Sequence, residues 1–304
     1  MKFFARFAIA TVLLAAGFSD ALAPTSAIRN QRNSLVSAMR SRGGALKSSN
    51  DRVFPIPTKE SVEQAKDVVK TSLPLSNKAA VGMGMVLAFN AGVINCASLS
   101  GLLAVGTKQA SAAVTGAWTN SAIGAATLFA SSGPNAAAAS QFLFNAKCII
   151  CYLFGSVISG FVIPEPKAFE IDVPKSVSLF TIAAGLLASA SYLARASNMN
   201  YLFLCCLATG LQNSFTSTTT ANLCRTCHFS GITSDMGTFI GQALGGNKAN
   251  VQRLKNVAMI AASFWIGGFL SLGWTKKFGG LVLLGTAVVD LAFAGYLGLK
   301  KSSQ

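Results

Sequence analysis

The chain has 304 residues, 52% hydrophobic and only 12% charged, with a mean hydropathy of +0.51. A soluble domain carries about a quarter charged residues, so a cytosolic enzyme, a collagen and a disordered tail are excluded and an integral membrane protein remains. The formal charge of +15 does not point to nucleic acid, because 12 of the 25 Lys and Arg lie in residues 1–78 and Lys108 is the only charged residue from 79 to 146; no basic groove tracks a phosphate backbone.

In chain order, Lys2 and Arg6 precede an apolar run over residues 7–18, too short to span about 30 Å of hydrocarbon. With small residues near Ala21, residues 1–21 read as a signal peptide. Residues 22–50 hold Arg29, Arg32, Arg40, Arg42 and Lys47, many Ser and no acid, a transit-peptide-like composition. The junction Ser19-Asp20-Ala21-Leu22-Ala23-Pro24 resembles that of the bipartite plastid presequences of algae with secondary plastids, with Leu22 where Phe is usual. A plain secretory signal, leading to the endomembranes or the plasma membrane, is the alternative. Residues 51–78 form a polar connector; Ser61 with Gln64 offers a capping box, and Val62, Ala65, Val68 and Val69 share one helical face.

Six stretches are long and apolar enough to span, at about 83–106, 142–163, 177–194, 200–217, 257–274 and 279–299. Two weaker ones, about 110–130 and 229–245, are rich in Gly, Ala, Ser and Thr, as suits helix contacts or half-membrane segments. Gly92-Val93-Ile94-Asn95 matches Gly210-Leu211-Gln212-Asn213, 118 residues later, and Thr115-Gly116-Ala117-Trp118-Thr119-Asn120 matches Ser230-Gly231-Ile232-Thr233-Ser234-Asp235, 115 residues later. Two matches in the same order indicate duplication. The expected fold is all-α: a membrane domain over 79–299, with halves 79–196 and 197–299 and a tail at 300–304. From Arg52 onward, 18 Lys and Arg divide 12 to 6 if all eight segments cross and 13 to 5 if the weak ones dip in and return. The positive-inside rule favours six spans, hence inverted three-span halves. Eight crossings would make the repeats parallel.

At Gly210-Leu211-Gln212-Asn213, followed by Cys227-His228-Phe229-Ser230-Gly231-Ile232-Thr233-Ser234-Asp235-Met236-Gly237, the chain resembles the YoaK-like family, small membrane proteins best known as a domain of unknown function. Gly210, Gln212, Asn213, His228, Gly231, Asp235 and Gly237 fit its pattern directly. The first half departs at Ala117, where the family has Asn, and Asn120 is the nearest amide. The resemblance covers roughly residues 80–298 and implies a six-span fold without a stated chemistry.

Asp235 stands out, since a carboxylate at the centre of a lipid-embedded helix costs about 2.5–3.5 kcal/mol and should face a cavity or a partner. Asn95, Asn120, Gln212, Asn213, His228, Ser230 and Thr233 could converge with it on a polar solute where the halves meet; alternatively these amides glue helices and cap broken ends. Asp290 is a second intramembrane acid, either a coupling group or a partner of Lys147 or a helix end. Cys224-Arg225-Thr226-Cys227-His228 spells the c-type haem attachment pattern, but the chain has one His, and no cofactor or metal is expected. No nucleophile–base–orienter set is visible, so no catalytic residue is assigned. The expected function is transport of an unknown small polar or charged solute across a plastid membrane, envelope or thylakoid. The rivals are a non-transporting assembly or scaffold factor and a membrane-embedded enzyme acting on lipid. The oligomeric state is not legible.

Overall fold

The computed structural model describes residues 72–104 and 108–302. The signal, transit and amphipathic-helix expectations lie outside these residues. Among the described residues eight helices follow one another: α1 (Asn77–Leu99), α2 (Thr115–Ala130), α3 (Ala136–Val162), α4 (Val173–Arg195), α5 (Tyr201–Thr219), α6 (Phe229–Leu244), α7 (Val251–Phe278) and α8 (Leu281–Ser302). Their starts are set locally. Ser76 accepts a hydrogen bond from the Ala79 N–H ahead of α1, Asn135 from Ala138 ahead of α3, and Asp172 from Lys175 ahead of α4. Each half's first helix ends on left-handed backbone, at Gly101 (φ 69°) after α1 and at Ala221 (φ 49°) and Asn222 (φ 62°) after α5. The first span therefore stops at Leu99, not near residue 106 as its hydropathy suggested. The only strands among the described residues, β1 (Ser72–Pro74) and β2 (Glu170–Asp172), pair antiparallel with Leu73 opposite Ile171. They tie the entry to α1 to the entry to α4.

Neighbour contacts fix the direction of every helix. Because of the β1–β2 pair, α1 and α4 start at the same end. The Cys224 thiol, just past α5, donates to the Ala80 carbonyl near the start of α1, so α1 and α5 are antiparallel. Along α1 and α7 the contacts advance together: Gly84 meets Ile260, Gly92 meets Phe264, and Ser271 donates to the Val93 carbonyl. α3 and α5 are parallel in the same way, with Phe144 against Phe203 and Ser156 donating to the Gly210 carbonyl. α8 opposes α4, since Ser191 donates to the Gly280 carbonyl at one end and Phe180 packs on Phe293 towards the other. The long helices thus alternate in the order α1, α3, α4, α5, α7, α8. α2 and α6 fold back as hairpins on α3 and α7 without reversing that alternation.

This is the six-span, inverted arrangement. Lys108, Lys147, Arg195, Lys276 and Lys277 lie towards one end, and Lys78, Lys167, Lys175, Lys248, Arg253, Lys255, Lys300 and Lys301 towards the other, the asymmetry of the positive-inside rule. Five helices, α1, α3, α4, α7 and α8, are long and apolar enough to cross a membrane by length and composition. α5 is shorter and richer in Ser, Thr and amides, yet it runs beside them with Tyr201, Leu211, Gln212, Phe215 and Thr219 all buried. Protein rather than lipid surrounds it, so its own hydropathy matters less. At 16 residues each, α2 and α6 reach about 24 Å and fall short of the hydrocarbon thickness.

Two close helix crossings repeat across the inversion. A Cβ on Gly92 would strike the Phe264 carbonyl and one on Gly267 the Phe89 carbonyl; likewise Gly210 meets the Tyr152 carbonyl and Gly155 that of Leu207. Gly92 and Phe89 precede Gly210 and Leu207 by 118 residues, while Tyr152 and Gly155 precede Phe264 and Gly267 by 112. The α1–α7 and α3–α5 interfaces are copies of one another, built on the small-residue approach that substitutes for hydrophobic drive in lipid.

Candidate functional site

The chain between α1 and α2, and again between α5 and α6, turns back into the protein, where its broken backbone needs partners. Asn95 on α1 supplies one: its Oδ1 accepts from the Ala112 N–H at 3.0 Å. Asn213, 118 residues on, does the same for Cys227 at 3.2 Å. Ser98 meets Ser111 through their hydroxyls at 3.3 Å, and Thr216 meets Thr226 at 3.5 Å. Every member of the second latch sits 118 or 115 residues after its counterpart, the two offsets of the repeat. Ala91, Ala112 and Cys227 form one buried cluster, so the breaks meet beside α1. α2 and α6 begin two or three residues further on, neither with a side-chain cap.

Next to this junction lies a polar cluster that the repeat does not duplicate. Asp290 on α8 and Asn90 on α1 are fully buried, and Gln212 on α5 is 1% exposed. Asn90 Nδ2 donates to Asp290 Oδ1 at 3.2 Å and to the Thr286 carbonyl at 3.3 Å. Gln212 Nε2 donates to Asp290 Oδ2. The position 118 residues after Asn90 is Ala208, and that 118 residues before Gln212 is Ile94. The cluster therefore does not follow the repeat that the two latches follow. Lys147 is not among the hydrogen-bonding partners of Asp290, and Asp172 at the start of α4 pairs with Lys175 at 3.2 Å. A carboxyl in such surroundings is costly unless its oxygens are served, and here neutral amides from both halves serve them.

The candidate residues divide into three groups. Gln212 and Asp290 come together. Asn95 and Asn213 hold backbone. Asn120 is half-buried on α2, while His228, Ser230, Thr233 and Asp235 are exposed along α6, Thr233 donating to the Phe229 carbonyl at 2.8 Å. Asp235 does not join the central cluster. Phe229, Ile232, Met236 and Phe239 pack against the core, and a residue one place before Met236 falls about 100° round the helix from it. Asn90, Ser98 and Thr216 stand outside the residues expected from sequence, although Asn90 is a polar residue in mid-span, the same signal that marks Asp290. Gly155 and Gly267 stand outside them too, because Gly is common in membrane helices and only the packing shows their close approach. The haem-like pattern has its sulfurs inside the protein, with Cys224 donating to Ala80 and Cys227 buried, while His228 is exposed.

The helix directions, the paired breaks and the lipid-compatible surfaces of α3 and α7 define an all-α polytopic membrane protein of six spans in inverted halves. Within that class, the chain belongs to the family described as "Protein of unknown function (DUF1275)", which matches residues 83–296. No curated protein and no solved structure matches the chain.

Proposed function

We propose that the chain is a membrane carrier for a small polar or charged solute, with Asp290 as its coupling group. The observation that carries this reading is a single buried carboxyl held by amides from both halves of an inverted repeat, Asn90 from the first and Gln212 from the second. Inverted repeats with broken segments at their junction suit alternating access, because one half can rock against the other around a fixed site. The α2 and α6 N-termini near that junction add positive dipole ends that favour a negative or electron-rich group on the solute. The arginine-rich, acid-poor N-terminal segment supports a plastid membrane, envelope or thylakoid, as the location. Counterflow of a panel of small solutes in proteoliposomes tests the carrier reading directly. A second reading, a non-transporting assembly factor, is favoured by the outward polar face of α6, where His228, Ser230 and Asp235 are available to another protein. It predicts no flux of any solute and capture of a defined membrane partner that Asp235→Ala abolishes.

A further inference from the structure

Arg225 lies in the break between α5 and α6, inside the depth of α1. Its neighbour Cys224 sits against Gly84, and Cys227 clusters with Ala91 and Ala112. Arg225 is half-buried, and among the described residues it has no hydrogen-bond or ion-pair partner. A charge held at membrane depth is costly and belongs where a partner or a water-filled cavity can serve it. The surroundings add to the charge instead of balancing it. A Cβ on Gly231, in the first turn of α6, would lie 3.7 Å from Arg225 Nη1, so the guanidinium stands at the positive end of that helix dipole. α6 has no side-chain cap, and the leading N–H groups of a helix have no partner within it.

The other break repeats the arrangement. Gly116 precedes Gly231 by 115 residues, and a Cβ on it would lie 3.9 Å from Gln109 Nε2. Gln109 is only 6% exposed and likewise has no hydrogen-bond partner among the described residues. α2 also lacks a side-chain cap. A buried amide without a partner weakens a resting core and calls for an explanation. Each half therefore sets an unpartnered nitrogen donor against the uncapped start of its short helix, and the two breaks meet at Ala112 and Cys227. Lipid can accept from none of these donors. Asp235, one turn beyond Gly231, is exposed and makes no ion pair with Arg225. What suits the site is a group from outside that only accepts. One guanidinium balances one negative charge, and its planar fork matches a carboxylate through two parallel hydrogen bonds.

We infer that Arg225 and the α6 N-terminus, with Gln109 at the α2 N-terminus, form a binding site for a small carboxylate. Its part in transport rests on the carrier reading above; its binding does not. The full chain, purified in detergent, is unfolded thermally in sodium acetate, formate, chloride and phosphate at equal ionic strength. Modification of Arg225 by phenylglyoxal is followed by peptide mass spectrometry in the same salts. The unfolding midpoint should climb with the logarithm of acetate or formate concentration and not with chloride, and acetate should slow modification of Arg225. Arg225→Gln should abolish the acetate response yet unfold no earlier than wild type in chloride, which an arginine serving only structure would not allow. Gln109→Leu should weaken acetate binding about tenfold. Equal midpoints in all four salts, with Arg225 modified at one rate throughout, overturn the site. So does an acetate response that survives Arg225→Gln, or a response to phosphate without one to acetate; acetate binding undiminished in Gln109→Leu overturns the part given to α2. Acetate binding without flux of any solute leaves the site and removes the carrier. Flux of a solute that Arg225→Gln does not alter, with no acetate binding, does the reverse.

Discussion

Replacing Asn213 with Ala removes the acceptor that holds the break between α5 and α6. The Cys227 N–H, bonded to Asn213 Oδ1 at 3.2 Å in a buried setting, is left unpaired, at a cost of about 1–3 kcal/mol. Thr226 loses its 3.5 Å contact with Asn213 but keeps its 3.5 Å contact with Thr216, so the loss stays near that range. If it is spent on local opening of residues 220–228, the population of the opened segment should rise about 5- to 150-fold. The assay is the rate of maleimide labelling at Cys227, followed by peptide mass spectrometry in detergent. Asn95→Ala, which frees the Ala112 N–H in the other half, should leave Cys227 labelling unchanged and destabilise the protein by a similar amount. The latch account is refuted if Asn213→Ala labels at the wild-type rate and unfolds at the wild-type temperature.

Three further outcomes follow from other parts of the structure. Gly92→Ala and Gly210→Ala should each destabilise by about 1–3 kcal/mol through overpacking against a facing carbonyl, whereas Gly185→Ala, with open space around it, should stabilise by about 0.5–1 kcal/mol through helix propensity; thermal unfolding in detergent separates the two classes. Cysteines placed at Lys78 and Lys300 should label from one side of the membrane and those at Ala136 and Asn198 from the other; a common side for all four would replace inverted repeats with parallel ones. Purified protein should begin between residues 22 and 50, and intact peptides from residues 1–18 in mature membranes would remove the presequence reading.

Hydropathy located the eight described helices because lipid-facing and core-facing positions are alike apolar, and the signal survives without knowledge of neighbours. It overran at α1, where Gly101 ends the helix while apolar residues continue. The repeat offsets of 118 and 115 were legible, and they proved to be the spacing of the two latches. The chemical role of Asn95 and Asn213 was not legible, since an amide in a span looks the same whether it serves a solute or a backbone N–H. Asp235 drew attention because a charge in a weak helix is conspicuous, but which face of α6 packs inward depends on α7. Asp290 and Gln212 were visible as polar residues; only the fold brings them to Asn90, 200 residues away from the acid.

The carrier reading stands or falls on Asp290→Asn, measured for flux and stability together in the same preparation. The amide is nearly isosteric with the carboxyl and less costly to bury, its oxygen can accept from one of the two donors, and a half-turn of the other facing amide presents an oxygen to the new nitrogen. The variant should therefore unfold no earlier than the wild type. Proteoliposomes containing it should nevertheless lose concentrative uptake of whichever solute the wild type accumulates. Undiminished concentrative uptake by a folded Asp290→Asn protein would contradict the account.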